Sequence, residues 1–185
     1  MSTLSAEDRQ QIEEVIRRYA WALDTADVER FVECFAPDGV LIWDAFETPD
    51  RYEGADALRH FATVLRDLPG SAGRQHLVGN TLIEARSENQ SQSENDGRCD
   101  EARASSYAIV FTRQGDGPHL VGVMGWYEDI FRRTDRGWRI RERVIRDWSG
   151  PILGRFAGQT GERVARPRPP VLAALASPFP NKDER

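Results

Sequence analysis

The stretch IRRYAWALDTADVERFVECFAPDG, Ile16 to Gly39, finishes one helix, starts a second and stops it. Ile12, Val15, Ile16, Tyr19, Ala20 and Leu23 recur at helical spacing, and Ser5 with Asp8 three residues on resembles a capping box. The spacing predicts a first helix from about Ala6 to about Leu23, with Asp24 in its last turn or just beyond. Asp27 is placed to cap a short second helix whose stripe is Val28, Phe31, Val32 and Phe35, and Pro37-Asp38-Gly39 ends it with turn chemistry.

Outward from that stretch, VLIWDAF (40–46) reads as a strand. Tyr52-Glu53-Gly54 turns the chain into a third helix, where Leu58, Phe61, Leu65 and Leu68 keep the period until Pro69-Gly70. The pattern then switches to period two. Strands are predicted over His76–Arg86, Ala102–Arg113, Leu120–Arg133 and Trp138–Trp148, with turns at Gly115-Asp116-Gly117-Pro118 and Asp135-Arg136-Gly137. SENQSQSENDGRCD (87–100) is a polar, low-complexity connection at a hairpin tip. Helix, helix, strand, helix and then a meander predict an α+β fold: a cone-shaped barrel, its curved antiparallel sheet and three helices closing an apolar pocket. The domain spans 1–149. The segment 150–185 holds six of the ten prolines and is expected to pack on that domain or on a neighbouring subunit.

With 185 residues, one domain with a real core is expected. A net charge of -5 argues against a nucleic-acid partner, which needs a basic face. Cys34 sits in an apolar helical stretch and Cys99 in a polar loop, so a buried thiol and an exposed one are expected, with no disulfide framework and no zinc site. No run approaches the roughly 18 to 20 apolar residues that span a bilayer, and the N-terminus does not read as a leader, so the cytoplasm is the expected compartment.

Three polar side chains stand where a plain core would carry Leu or Val: Tyr19, Asp24 and His76. Asp24 follows Ala20 by four residues and Ile16 by eight, so it projects from the buried side of the first helix. A carboxylate is disfavoured at a helix C-terminus, which calls for a compensating partner such as a protonatable histidine. His76 shares one strand face with Val78, Asn80 and Leu82; Leu77, Gly79, Thr81 and Ile83 share the other, and periodicity leaves open which face looks inward. An imidazole is suited to general acid–base work near neutral pH. The plainer readings are a satisfied histidine, a carboxylate in a terminal turn and a tyrosine used for packing. Asp129 shares a face with Tyr127 and reads as a pocket group or, by preference, an outward one. Asn80 is a ligand contact or a backbone partner. Trp43, Tyr107, Met124 and Trp126 are candidate pocket walls, and Arg146 meets an anionic substrate or pairs with nearby acids.

The runs IRRYAWALDTADVERFVECFAPDG, YEGADALRHF, RQHLVGN and GWYEDIFRRTDRGWRIRERV resemble the SnoaL-like branch of the nuclear transport factor 2-like superfamily, over roughly Ala6 to Trp148. A Tyr, an Asp five residues later and a His with Asn at the fourth position beyond it are similar to the bile acid dehydratases, and more loosely to scytalone dehydratase and hexachlorocyclohexane dehydrochlorinase. The resemblance implies an Asp24–His76 dyad that abstracts a proton, Tyr19 as a polarising donor and no metal or organic cofactor. It also implies a small, largely apolar cyclic substrate and a homodimer or homotrimer. Ketosteroid isomerase is similar at Tyr19 and Asp129, but its base would fall near Trp43, which counts against that chemistry. The alternatives are a small-molecule binding or accessory protein without catalysis, and an isomerase or polyketide cyclase on the same fold.

Overall fold

The computed structural model describes residues 3–68, 71–86, 99–113, 115–147, 167–168, 170–176 and 178. The expectations for the loop core 87–98, for Trp148 and for the tail up to 166 lie outside the described residues.

Helix α1 covers Ala6–Asp24, and the capping box is present in full: the Asp8 N–H donates to the Ser5 hydroxyl while the Ser5 N–H donates to the Asp8 carboxylate. The helix ends in a Schellman turn. The Asp27 N–H reaches the Ala22 carbonyl at 2.9 Å and the Ala26 N–H reaches that of Leu23 at 3.3 Å, with Ala26 in the left-handed region at φ 58°. Helix α2, Val28–Glu33, is capped by the Asp27 carboxylate. Helix α3 covers Gly54–Asp67 and buries Ala57, Leu58, Phe61 and Ala62.

Six strands form one mixed sheet: β1 (Phe35–Trp43), β2 (Asp50–Glu53), β3 (Gln75–Ala85), β4 (Glu101–Arg113), β5 (His119–Thr134) and β6 (Gly137–Asp147), in the order β2-β1-β6-β5-β4-β3. The β3–β6 meander is antiparallel throughout, whereas β1 lies parallel to β6 and antiparallel to β2. β2 falls where the sequence reads only as a turn. β1 begins at Phe35, five residues before the predicted strand, because the chain extends directly after α2 with a register shift between Phe35 and Val40. Further shifts interrupt β3–β4, β4–β5 and β5–β6, and such bulges bend a sheet. The three helices lie on its inner face, α1 against β3 and β6 and α3 against β1 and β2.

The space they enclose is filled. Tyr19, Phe31, Phe35 and Tyr127 pack at ring-centroid distances of 5.2–6.0 Å, and Phe61 links them to Trp43 and Tyr52. Each large side chain removed from water contributes roughly 1.5–3 kcal/mol before conformational costs. From the tail, a 3₁₀ helix over Pro170–Leu175 closes the α3 end of this core: Leu175 is fully buried, its carbonyl accepts from the Tyr52 hydroxyl, and Arg168 pairs with Asp50 across the Phe46 ring. Cys99 differs from expectation: it is buried, donating its thiol to the Glu101 carbonyl at 2.7 Å, because it already belongs to the packed approach to β4. Among the described residues, no helix is long and apolar enough to cross a membrane.

Candidate functional site

The Schellman turn fixes Asp24 at the last helical position of α1, and β3 begins beside it. Asp24 is bound twice by one residue: the His76 backbone N–H donates to Oδ2 at 2.8 Å, and His76 Nδ1 lies 2.6 Å from Oδ1. A carboxylate only accepts, so Nδ1 donates its proton, and in the neutral imidazole this leaves the lone pair on Nε2. The two side chains are 7% and 17% exposed. Nε2 makes no hydrogen bond among the described residues and is not one of the sealed polar atoms, so it keeps solvent contact. The two hydrogen bonds also offset the unfavourable macrodipole at the Asp24 position.

Both residues line an open groove of about 770 Å³ between α1 and the edge strand β3. Ala20, Trp21 and Thr25 form its helix wall; Arg74, Leu77, Val78, Thr81 and Phe111 form the strand wall. Trp21, 67% exposed, stands at its rim. Arg74 was not signalled by the alternation, since it belongs to the turn that precedes β3.

The other nominated residues fall elsewhere. Tyr19 is fully buried in the core and does not line the groove; burial pushes its pKa up to about 12 against the pull of Arg143, so the phenol stays protonated at neutral pH. Asp129 points inward, contrary to its preferred outward reading, and makes a bidentate ion pair with Arg143 at 2.6 and 2.7 Å, both side chains fully buried. The Arg143 guanidinium lies between the Tyr19 and Tyr127 rings, 4.0 and 4.3 Å from their centroids. Burial alone would lower the Arg143 pKa, but Asp129 outweighs it and holds the guanidinium above its ordinary value.

Trp43 packs in the core against Phe46 and Phe61. Tyr107, Met124 and Trp126 do not line this groove. Tyr107 pairs with Trp126 across β4–β5, on the face opposite to buried Ser106 and Tyr127, and Met124 follows in the same outward row. Arg146 is on that outer face too, paired with Glu128 at 2.9 Å and with Asp44, as its alternative reading anticipated. Asn80 is exposed. It adopts φ 50° inside a bulge where one extra β3 residue sits between the Gly79–Tyr107 and Leu82–Ser105 pairs. That residue reverses the alternation: Leu82 is 71% exposed, and Thr81 turns inward to hydrogen-bond buried Ser106 at 3.0 Å.

The model of the SnoaL-like domain matches residues 4–144. The chain belongs to the SnoaL-like family. This SnoaL-like chain is 28% identical over 148 residues to the uncharacterized protein Rv2910c of Mycobacterium tuberculosis, covering 78% of this chain and 88% of that one. A protein of unknown function with a cystatin-like fold from Nostoc punctiforme superimposes with a TM-score of 0.64 at 25% identity, covering 82% of this chain and 98% of that one. A candidate scytalone dehydratase from Novosphingobium aromaticivorans shares the fold with a TM-score of 0.59 at 20% identity, covering 76% and 84%.

Proposed function

We propose that this SnoaL-like protein is a cofactor-independent lyase of the dehydratase type, acting in the α1–β3 groove. The observation that carries the reading is the Asp24–His76 pair: a tautomer held from behind at 2.6 Å, with a free ring nitrogen open to a groove of substrate size. A binding protein needs no oriented base of this kind. In the reaction, Nε2 takes a proton from a carbon next to a carbonyl of a small cyclic substrate, and the C–H electron pair moves into the carbonyl as an enolate. The pair then returns to form the C=C bond, and the β-hydroxyl leaves as water with the proton that the imidazolium gives back. Asp24 stabilises the imidazolium in between. Tyr19 backs this site from the core rather than reaching substrate through the groove. Self-association as a dimer or trimer belongs to the same reading, supported by the exposed Tyr107 and Met124 on the outer sheet face.

The test is a screen of small cyclic β-hydroxy carbonyl compounds, followed by the absorbance of the conjugated alkene. His76→Ala and Asp24→Asn should each lower turnover by about 10²- to 10⁴-fold while the thermal midpoint stays within a few degrees. Full activity in His76→Ala would sink the mechanism.

A further inference from the structure

Arg74 is a cation in the groove without an ion pair among the described residues. Its guanidinium is half-buried, its Nε is sealed from water with no partner, and its two remaining hydrogen bonds are long ones to neutral acceptors: Nη1 to the Ser71 hydroxyl at 3.3 Å and Nη2 to the Leu23 carbonyl at 3.4 Å. No carboxylate lies within ion-pair distance of it among the described residues. The contrast with other arginines removed from water is plain: Arg133 has Asp8, Arg143 has Asp129, Arg146 has Glu128 and Arg168 has Asp50. Nη1 and Nη2 make only these long bonds, and a guanidinium's planar fork matches a carboxylate bidentately in their place. Burial lowers its pKa while the Asp24 charge pulls the other way, which couples this cation to the dyad's carboxylate.

Position gives the feature its meaning. Arg74 stands in the turn two residues before His76, and both line the same groove. The turn that presents Arg74 is itself braced: its N–H bonds the Ser71 carbonyl at 3.2 Å, and the Ser71 hydroxyl is tied to the Leu65 carbonyl at 2.6 Å. We propose that Arg74 is the specificity-determining residue of the groove and that the substrate is a cyclic acid, its carboxylate held by Arg74 while its ring lies against Trp21 near His76. This rests on the reading of the groove as the substrate site.

The probes are 2-naphthoate and its neutral isostere 2-naphthamide, titrated against the full-length protein by tryptophan fluorescence. Wild type should bind the carboxylate in clear preference to the amide. Arg74→Gln should weaken naphthoate by about 10- to 100-fold and leave naphthamide nearly unchanged, the range expected for a hydrogen bond to a charged group. In wild type alone, the Arg74 Nε–H resonance in nitrogen-15 NMR should move with naphthoate and stay with naphthamide, which keeps the test open if Arg74→Gln does not fold. Equal affinity of wild type for both probes, no binding of naphthoate, or an unmoved Arg74 resonance overturns the proposal. His76→Gln separates the two readings: it should keep the carboxylate preference while losing turnover. Loss of turnover there together with naphthoate binding indifferent to Arg74→Gln would leave the dyad standing and remove the role of Arg74.

Discussion

Two short carboxylate pairs, Asp129 with Arg143 and Asp24 with His76, have opposite characters. Asp129–Arg143 is fully buried, bidentate and clamped between two tyrosine rings. Asp24–His76 is equally short, yet one ring nitrogen is open to the groove, and the neighbouring Arg74 has no carboxylate of its own. A sealed pair in the core has no route to a substrate, and its role is to fill and orient the interior. A pair with one open valence at a groove can exchange a proton. The distinction rests on which donors and acceptors remain open, since both pairs are short and both are largely removed from bulk water.

The largest effect separating them is expected from Asp129→Ala. It leaves Arg143 charged in an apolar aromatic cage, and breaking a buried pair on one side costs about 3–5 kcal/mol. Urea unfolding should show a lower midpoint and an unfolding free energy reduced by that amount. The double replacement Asp129→Leu with Arg143→Met should recover most of it, because the charge goes with its partner. Asp24→Asn, in contrast, should leave the unfolding midpoint nearly in place while turnover falls. If Asp24→Asn unfolds the protein as readily as Asp129→Ala does, the contrast between a structural and a reactive pair is lost.

Asp8 extends the saturated class to the surface of the core. Its carboxylate accepts from the Ser5 N–H at 3.1 Å, from Arg133 at 2.7 Å and from the Trp138 indole at 3.0 Å. Burial would raise its pKa, but the hydrogen bonds from Trp138, Arg133 and Ser5 outweigh that and hold it well below the usual carboxylate range. The sign follows from linkage. A depressed folded pKa means that the unfolded chain binds the proton more readily, so this contribution is complete above about pH 4 and is lost as pH falls further. Asp8→Asn should cost about 1–3 kcal/mol near neutral pH and flatten the decline in stability between about pH 4 and pH 2. An unchanged acid slope in the variant would place acid sensitivity elsewhere.

Much of this was legible in the chain, for local reasons. The capping box and apolar stripe mark α1, and Asp135-Arg136-Gly137 marks the β5–β6 hairpin, because those signals are written within a few residues of where they act. The contact between Asp24 and His76 was legible because Asp24 sits on the buried side of α1 at a position hostile to acids. The parallel β1–β6 pairing was not, since it joins segments about a hundred residues apart and no local pattern records it. Tyr107, Met124 and Trp126 were assigned as walls because alternation gives two faces without naming the inner one. The phase reversal at Asn80 was hidden for a related reason: a bulge adds one residue without changing composition, so Asn80 and Leu82 read as companions of His76. Arg74 escaped notice because a turn has no periodicity to mark it.

The smallest effect concerns the hinge that sets Asp24 against His76. Ala26 occupies the left-handed position of the α1 Schellman turn at φ 58°, where glycine is the usual residue. A Cβ in that region costs roughly 1–2 kcal/mol, part of which glycine gives back through its greater freedom in the unfolded chain. Ala26→Gly should therefore stabilise the protein by about 0.5–1 kcal/mol, seen as a rise of about 2–4 °C in thermal midpoint. Turnover should be unchanged, because Asp24 is held by the His76 N–H and Nδ1 rather than by the turn alone. A rise in stability with a fall in turnover would sharpen the comparison in a different way: it would mean that the strained turn itself helps to aim the carboxylate of the open pair, a device the sealed Asp129–Arg143 pair, held directly across two paired strands, has no need of.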